Sequence, residues 1–233
     1  ILITREPDPH ESNTRYAQGG IIGRGPDDSP DLLVQDILEA GAGASLPEAA
    51  RILAGEGPAL LDELLVRQAG IHFDHGPHGE PEYGQEAAHS RRRILHVGDG
   101  TGRAIITGLM TLVRQKPNIE LLAEATSVDL ITFPHSSRDP LTAYQPVTCH
   151  GAYVFDRRGK SVHRTLAAVT VLASGGLGRL FRNTTNPPGA RGDGLAGDFG
   201  GHQEKGAGGQ LRHCRSAMAC GQTTATSQGA RLP

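Results

Sequence analysis

The stretch 86–96 holds acid–base side chains at a spacing that could do chemistry on a small substrate. Glu86 and His89 can exchange protons, and the three arginines at 91–93 can bind a carboxylate through paired N–H groups. Taken alone, the stretch is more typical of a solvated, charged turn. Nucleic-acid binding is a weaker interpretation, because no aromatic residue is interleaved with the arginines and the formal net charge of the chain is -2.

The small, polar stretch 12–20 is a second candidate site, since it ends in Gly19 and Gly20 and follows an apolar start at residues 1–3. This order predicts a short buried strand that ends at a loop, whose backbone N–H groups can approach a phosphate or a flat ring closely. An ordinary strand-to-helix turn uses the same residue types, so the motif by itself is a weak indication.

A third candidate begins where the strand-like residues 170–173 run into a Ser-Gly-Gly sequence at 174–176, with Gly-Asp-Gly following at 192–194. Small residues at a strand end let a dinucleotide pass close to the backbone, and the carboxylate of Asp193 can accept a hydrogen bond from a ribose or ribityl hydroxyl. The alternative is a turn aspartate flanked by glycines, which is common in loops.

The elements that must position these residues are typical of an α/β protein. Apolar spacing predicts helices over 31–40, over 47–66 with an interruption at 55–58, and over 101–115. Strands are predicted at 1–3, 119–126, 128–133, 149–155 and 163–172, with a hairpin turn at 156–159. Residues 73–84 are rich in Gly, Pro and His and predict an exposed loop.

Together, the three candidate stretches resemble the flavin domain of the L-aspartate oxidase family, within the succinate dehydrogenase and fumarate reductase group of flavoproteins. The sequence TRYAQGG at 14–20 is similar to the family's Ser/Thr-x-Tyr-Ala-Gln-Gly-Gly. The stretch 85–96 is similar to Arg-Glu-Gly-Gly-His-Ser-x-Arg-Arg-Ile-Leu-His, which the family follows with Asp-x-Thr-Gly, here 99–102. Ala87 and Ala88 replace the usual glycines, so the local backbone is expected to differ.

The resemblance implies an α/β fold, namely a three-layer, Rossmann-like FAD/NAD(P)-binding domain with a β-meander insertion. It implies FAD as the cofactor and L-aspartate or a related dicarboxylate as the substrate. The implied reaction passes a hydride from L-aspartate to the flavin and yields iminoaspartate for NAD biosynthesis. A functional link to quinolinate synthase follows from the same resemblance.

The resemblance also assigns site residues. Glu86 falls where the family places an acidic residue beside the substrate amino group. Arg5 corresponds to a residue near the adenosine ribose, and Val128 to one that meets the adenine through its backbone. The implied FAD contacts are Arg5, Asn13, Thr14, Arg15, Tyr16, Ala17, Gln18, Gly19, Gly20, Val128, Ser174, Gly175, Gly176 and Asp193.

The resemblance covers residues 1–196, so we expect a partial FAD-binding domain that lacks the first βα unit with its Gly-x-Gly-x-x-Gly turn, and lacks the capping domain. Residues 197–233 are of low complexity and are predicted to be disordered, an aberrant tail such as a wrong reading frame would give.

Two alternatives to the function implied by the resemblance stay open. One is a fumarate reductase or succinate dehydrogenase-type flavoprotein, for which His10 could attach the flavin. The other is a non-catalytic remnant of a flavin-binding domain.

The composition bounds the remaining possibilities. The 233 residues include three cysteines, which form no disulfide framework and favour a cytoplasmic setting. No apolar stretch approaches the roughly 20 residues that cross a bilayer. A zinc site is disfavoured, because the candidate ligands fit no standard spacing; these are His202, His213, Cys214 and Cys220.

Overall fold

The computed structural model describes residues 1–134 and 137–194, and the backbone of two further strands at 214–219 and 222–228. The chain divides into two compact units. The first unit joins Ile1–Asn13 to the chain from Glu120 onward, and the second is Thr14–Ile119. Each unit has its own hydrophobic core.

The first unit contains a parallel strand pair. Strand β1 (Leu2–Ile3) pairs with β5 (Leu121–Leu122), so the strand predicted at 1–3 is confirmed. It is not buried as expected, because Leu2 is 41% exposed. The strand predicted at 119–126 is also shorter than expected, since Glu124 adopts a positive φ of 56° that ends the extended run before the next strand begins.

A three-stranded antiparallel meander forms the larger sheet of the first unit. It consists of β6 (Ala125–Phe133), β7 (Thr148–Asp156) and β8 (Ser161–Leu166), in that spatial order. The tight turn after Asp156 brings that residue opposite Ser161. The meander expected from the resemblance is therefore present. The strand predicted at 163–172 is in fact two, β8 and β9 (Val169–Leu172), because the chain leaves the β7 ladder after Ala167.

Apolar side chains from the meander and from the parallel pair form the core of the first unit. The buried members share an inward-facing position on β6 or β7, and they are Ala125, Leu130, Cys149, Ala152 and Val154. Ile3, Leu122 and Leu172 pack against them. Cys149 is a free thiol that is only 3% exposed, so it behaves here as a small apolar residue.

Two strands are described in the region for which the sequence predicts a disordered tail. Strand β10 (Cys214–Ala219) pairs antiparallel with β11 (Gln222–Gln228), and β11 pairs antiparallel with β9. The remainder of 197–233 lies outside the described residues. The domain boundary at 196 and the disorder of the tail therefore stay predictions.

The second unit begins with a helix whose start follows directly from the sequence. Helix α1 (Pro30–Ala40) is capped by Ser29, whose Oγ accepts a hydrogen bond from the N–H of Leu32 at 3.3 Å. Pro30 occupies the first helical turn, where a missing N–H has no consequence. The helix predicted over 31–40 is confirmed.

The expected interruption of the second helix at 55–58 does not occur. Helix α2 (Pro47–Leu60) runs through this stretch and continues as a π-helix, Leu61–Gln68. Pro58 has no N–H to donate to the carbonyl of Ala54, but the Arg24 guanidinium donates to that oxygen at 2.5 Å. Gly70, with φ of 66°, then ends the helix in a left-handed turn, as expected.

A small antiparallel sheet and helix α3 (Thr101–Arg114) complete the second unit. The sheet has the order β2 (Ile21–Ile22), β4 (Ile94–Leu95), β3 (Tyr83–Gly84). The helix predicted over 101–115 is confirmed. The exposed loop predicted over 73–84 is wrong at both ends, since Phe73 is only 6% exposed and β3 closes the sheet. Phe73 belongs to a core with Leu61, Leu65, Ile71 and Leu95.

A buried ion-pair cluster ties β4 to helix α1. Arg93 is fully buried, and its Nε and Nη2 donate to the two carboxylate oxygens of Asp28 at 3.0 and 2.7 Å. Its Nη1 donates to Oδ2 of Asp36 at 2.6 Å. Burial acts to raise the pKa of Asp36, but hydrogen bonds from Ser90 and Arg93 outweigh it and hold that pKa below its usual value.

We expect Arg93→Met to destabilise the chain by about 3–5 kcal/mol, because it removes the buried cation that Asp28 and Asp36 share and leaves Asp28 only the more distant Arg24, at 3.9 Å. Urea unfolding followed by circular dichroism measures this loss. Arg67→Met is the matched control, since Arg67 pairs with Asp62 on the surface and such a pair contributes about 0–1 kcal/mol. Equal losses in the two variants would contradict a special role for Arg93.

The lowered pKa of Asp36 predicts a pH-dependent contribution to stability. This contribution is present above the ordinary value of 3.8 and is lost as the pH falls through the lower, folded-state value. Asp36→Asn should therefore cost about 1.5–3 kcal/mol near neutral pH, and the gap to wild type should narrow in strong acid. Urea midpoints across this pH range measure the gap, with exposed Asp31→Asn as the control on the same helix. A gap that does not change with pH would contradict the prediction.

Candidate functional site

In the first unit, Arg5 and Asp193 come together although 188 positions separate them. The Nη1 atom of Arg5 donates to Oδ2 of Asp193 at 2.5 Å, and its Nη2 donates to the carbonyl of Gly189 at 3.3 Å. Arg5 lies just beyond the end of β1. The Asp193 side chain keeps 40% of its surface exposed, so it can still accept a hydrogen bond from a ligand hydroxyl.

The Ser-Gly-Gly sequence after β9 packs backbone against backbone in the same unit. The Oγ of Ser174 accepts from the N–H of Gly194 at 3.0 Å, and the carbonyl of Gly176 accepts from Gly192 at 3.2 Å. Gly175 has a φ of 77°, and a Cβ added there would lie 2.7 Å from the amide nitrogen of Asn13. Six predicted contact residues thus meet in one cluster, which we call the β9-end cluster. Its members are Arg5, Asn13, Ser174, Gly175, Gly176 and Asp193.

The β9-end cluster has the features that a dinucleotide needs. Glycine at 175 adopts a positive φ and leaves room for the Asn13 side chain to approach the strand end. A partly exposed carboxylate stands beside it as a hydroxyl acceptor. The partly exposed carboxylate of Asp193 therefore fits a ribose or ribityl hydroxyl of FAD.

Val128 lies on another element, strand β6, rather than at the start of a strand as expected. The register of β6 against β7 shifts between Ser127 and Asp129, so Val128 occupies a β-bulge and has no partner residue across the ladder. Its side chain is 57% exposed. A bulge leaves backbone groups outside the ladder, which suits a residue expected to bind through its backbone.

In the second unit, the predicted cofactor stretch forms a short 3-10 helix, Thr14–Tyr16, which includes Arg15. The first turn of α3 packs directly on it. Gly102 donates to the carbonyl of Ala17 at 2.9 Å, and a Cβ at Gly102 would overlap the carbonyl oxygen of Thr14. Gly102 therefore allows helix α3 to pack on the stretch 14–17. In the sequence, Gly102 stands out only as the last residue of the Asp-x-Thr-Gly motif at 99–102.

The same unit brings the predicted acid to the glycines that follow. A Cβ at Gly19 would overlap Oε1 of Glu86, so the carboxylate lies against the glycine backbone. Gly20 is packed on the side chain of Ile94 and the carbonyl of Leu95 in β4. Gln18 and Glu86 are exposed. The two stretches that the resemblance links to cofactor and substrate are thus neighbours within one unit.

The turn that carries Glu86 is closed by its own hydrogen bonds. The N–H of His89 donates to the carbonyl of Glu86 at 3.0 Å, and the amide of Gln85 donates to the carbonyl of His89 at 2.7 Å. Neither Ala87 nor Ala88 has a positive φ. The backbone conformation of this turn therefore does not require the glycines that the family usually has at these two positions.

The three arginines of the stretch do different things. Arg91 and Arg92 are exposed, and their Nε atoms donate to the carbonyls of Asp27 and Tyr83 at 3.2 and 2.9 Å. They line an open cavity of about 350 Å³. Arg93 is instead buried against Asp28 and Asp36, so it is not available to bind a substrate carboxylate directly.

An Asp–His pair in the second unit was not anticipated from the sequence. Asp74 Oδ2 lies 2.9 Å from Nδ1 of His96 and accepts from the N–H of Gly98 at 2.6 Å. These two hydrogen bonds, that of Gly98 first, hold the pKa of Asp74 below its usual value. The sequence signal was the closing His of the 86–96 stretch, but nothing along the chain shows that Asp74 faces it.

The described residues contain no cluster of three or more side chains suited to hold a metal ion. His202, His213 and Cys220 lie outside the described residues, and only the backbone of Cys214 is described. Within 1–134 and 137–194, no helix is long and apolar enough to cross a membrane.

Comparison with known proteins tests the resemblance. The chain is 38% identical over 197 residues to L-aspartate oxidase 2-a of Nicotiana tabacum. The aligned region is 84% of this chain and 29% of the relative. It is 37% identical over 196 residues to L-aspartate oxidase of Halobacterium salinarum, covering 84% of the chain and 36% of the relative. The expected resemblance to L-aspartate oxidases is confirmed, and the chain spans about a third of the length of these relatives.

Solved structures confirm the fold. Quinol fumarate reductase FrdA of E. coli superimposes with a TM-score of 0.76 at 21% identity, covering 85% of this chain and 32% of that one. Mycobacterium smegmatis Sdh1 superimposes with a TM-score of 0.72 at 23% identity. This match covers 85% of the present chain and 33% of Sdh1. The described units therefore have the FAD-binding fold of these flavoproteins.

The family model described as "FAD binding domain" matches residues 1–202, which include the β9-end cluster, the 14–20 stretch and Glu86. This span exceeds half of the chain. With that match, the protein belongs to the family of FAD binding domains.

Proposed function

We propose that this chain is the FAD-holding part of an L-aspartate oxidase, which oxidises L-aspartate to iminoaspartate for NAD biosynthesis. The observation that carries the proposal is the placement of the Glu86 carboxylate against Gly19. The carboxylate of Glu86, which can bind the amino group of a substrate, lies next to the stretch 14–20, which resembles a flavin-binding segment. The identity of 37–38% to curated L-aspartate oxidases supports the same reading.

FAD is proposed to be held by the residues that the resemblance names. In the first unit, Asp193 accepts from a hydroxyl of the dinucleotide, the backbone at 174–176 lies along it, and Val128 contributes its backbone at the bulge. In the second unit, residues 14–20 contribute backbone groups and the side chains of Thr14, Tyr16 and Gln18. When bound, FAD supplies the two-electron redox chemistry, and the protein binds and orients it.

The role proposed for Glu86 is to accept a hydrogen bond from the substrate ammonium group. Its side chain is exposed and free to meet a ligand, and the hydrogen bonds from His89 and Gln85 to main-chain carbonyls fix the backbone of the turn that carries it. A charge-assisted hydrogen bond of this kind selects an amino dicarboxylate over one that lacks the amino group. A cytoplasmic location and a functional link to quinolinate synthase belong to the same proposal.

A fumarate reductase or succinate dehydrogenase-type flavoprotein is the second candidate, because structures of those enzymes share the fold. His10 would then be the attachment point for the flavin. Its Nδ1 lies 2.7 Å from a carboxylate oxygen of Asp8. Flavin that stays on the chain after acid precipitation would favour this candidate over the aspartate enzyme.

FAD that stays on the purified chain after gel filtration, with a protein-bound visible spectrum, would support the proposal. Asp193→Asn should weaken FAD binding about 10-fold or more, because the lost charge-assisted hydrogen bond is worth about 1.5–3 kcal/mol. Fluorescence titration with FAD measures the Kd, and Asp62→Asn is a control on the surface of the other unit. A wild-type chain that retains no flavin would favour a non-catalytic remnant.

In an active preparation, Glu86→Gln should lower kcat/KM for L-aspartate by about 10-fold or more while the FAD content stays unchanged. The physical reason is that the neutral amide attracts the substrate ammonium group less strongly than the carboxylate does. Steady-state kinetics and the flavin-to-protein absorbance ratio measure the two quantities. Glu82→Gln, exposed in the preceding loop, is the matched control. Equal losses of turnover and flavin would make Glu86 a structural residue.

A further inference from the structure

The buried guanidinium of Arg93 also reaches the imidazole of His89. Its Nη1 lies 3.2 Å from Nδ1 of His89 and 2.6 Å from Oδ2 of Asp36. A terminal guanidinium nitrogen carries two N–H groups, so Nη1 has one proton for each partner. The Nε and Nη2 atoms are both committed to Asp28.

This contact determines which ring nitrogen of His89 carries the proton. Arginine has N–H donors and no acceptor, and it stays protonated in proteins. The Nδ1 atom that faces Arg93 must therefore accept, and the imidazole proton must be on Nε2. Arg93 is fully buried and held by two carboxylates, so the donor cannot turn away.

The His89 ring belongs to the same turn as Glu86. The backbone of His89 is bound on both sides, through its N–H to Glu86 and through its carbonyl to Gln85. Ser90 is tied to Asp36 by its N–H at 2.9 Å and its hydroxyl at 3.0 Å. His89 is half-buried, and none of the hydrogen bonds found among the described residues uses its Nε2.

We propose that Arg93 is a positioning residue for His89, which it holds with Nδ1 as an acceptor so that the Nε2–H group donates to a carboxylate of the substrate bound beside Glu86. Glu86 then accepts from the ammonium group, and His89 donates to a carboxylate of the same amino dicarboxylate. The role of His89 toward substrate rests on the function proposed above.

The tautomer can be measured in the full chain without any substrate. In ¹⁵N-histidine-labelled protein, long-range ¹H–¹⁵N spectra should show His89 with its proton on Nε2 and with Nδ1 as a hydrogen-bonded acceptor. His89→Gln identifies the resonances. A proton on Nδ1 of wild-type His89 would overturn the proposal, and this result needs no variant to fold.

Arg93→Lys tests whether Arg93 is the cause. The shorter ammonium side chain is drawn to the two carboxylates, so the Nδ1 resonance should move toward that of an acceptor without a hydrogen bond. Arg92→Lys is the matched control, because Arg92 is the exposed neighbour whose Nε is bound to Tyr83. An unchanged Nδ1 resonance in folded Arg93→Lys would overturn the assignment of Arg93 as the donor.

Titration with L-aspartate tests the donor role of His89. The Nε2–H resonance of wild type should shift saturably, and succinate should produce a smaller shift because it lacks the ammonium group that Glu86 accepts. The absence of a saturable shift would overturn the donor role. FAD binding, measured separately by fluorescence, would show whether the proposed function fails with it or survives.

Discussion

The pairing of Arg93 with Asp28 and Asp36 is the interaction on which the second unit depends. It joins the residue before β4 to the turn that precedes helix α1 and to the middle of that helix through bonds of 2.6–3.0 Å, with the guanidinium fully buried. Replacing such a cluster with apolar side chains can cost nothing, but removing one member leaves charges buried without a partner. The cluster therefore specifies the arrangement more than it adds stability.

The same cluster extends into the turn that carries Glu86. Asp36 binds the backbone and hydroxyl of Ser90, and Arg93 contacts His89. Most of the turn is exposed, and these hydrogen bonds tie it to the buried cluster. The buried cluster of Arg93, Asp28 and Asp36 is therefore connected by hydrogen bonds to the turn that carries Glu86 and His89.

Glycines play the complementary role in both units, since they allow close approach where a side chain would collide. Gly19 admits the Glu86 carboxylate, Gly102 admits the Thr14–Tyr16 helix, and Gly175 admits Asn13. In each case the neighbour comes from a distant part of the chain. The glycine content of the sequence therefore reflects specific packing at these positions as well as loop flexibility.

Much of this protein could be predicted from its sequence, because the relevant signals are local. The cap of α1, the apolar spacing of α1 and α3, the meander and the family motifs are all encoded within short stretches. The tertiary structure alone decided the continuity of α2 through Pro58, because the compensating donor to the Ala54 carbonyl is Arg24, thirty residues before Ala54. It also decided that Arg93 is buried while Arg91 and Arg92 stay exposed, although the three are chemically identical. Burial of a charge depends on which carboxylates the fold brings to it, and no local pattern in the sequence reports that.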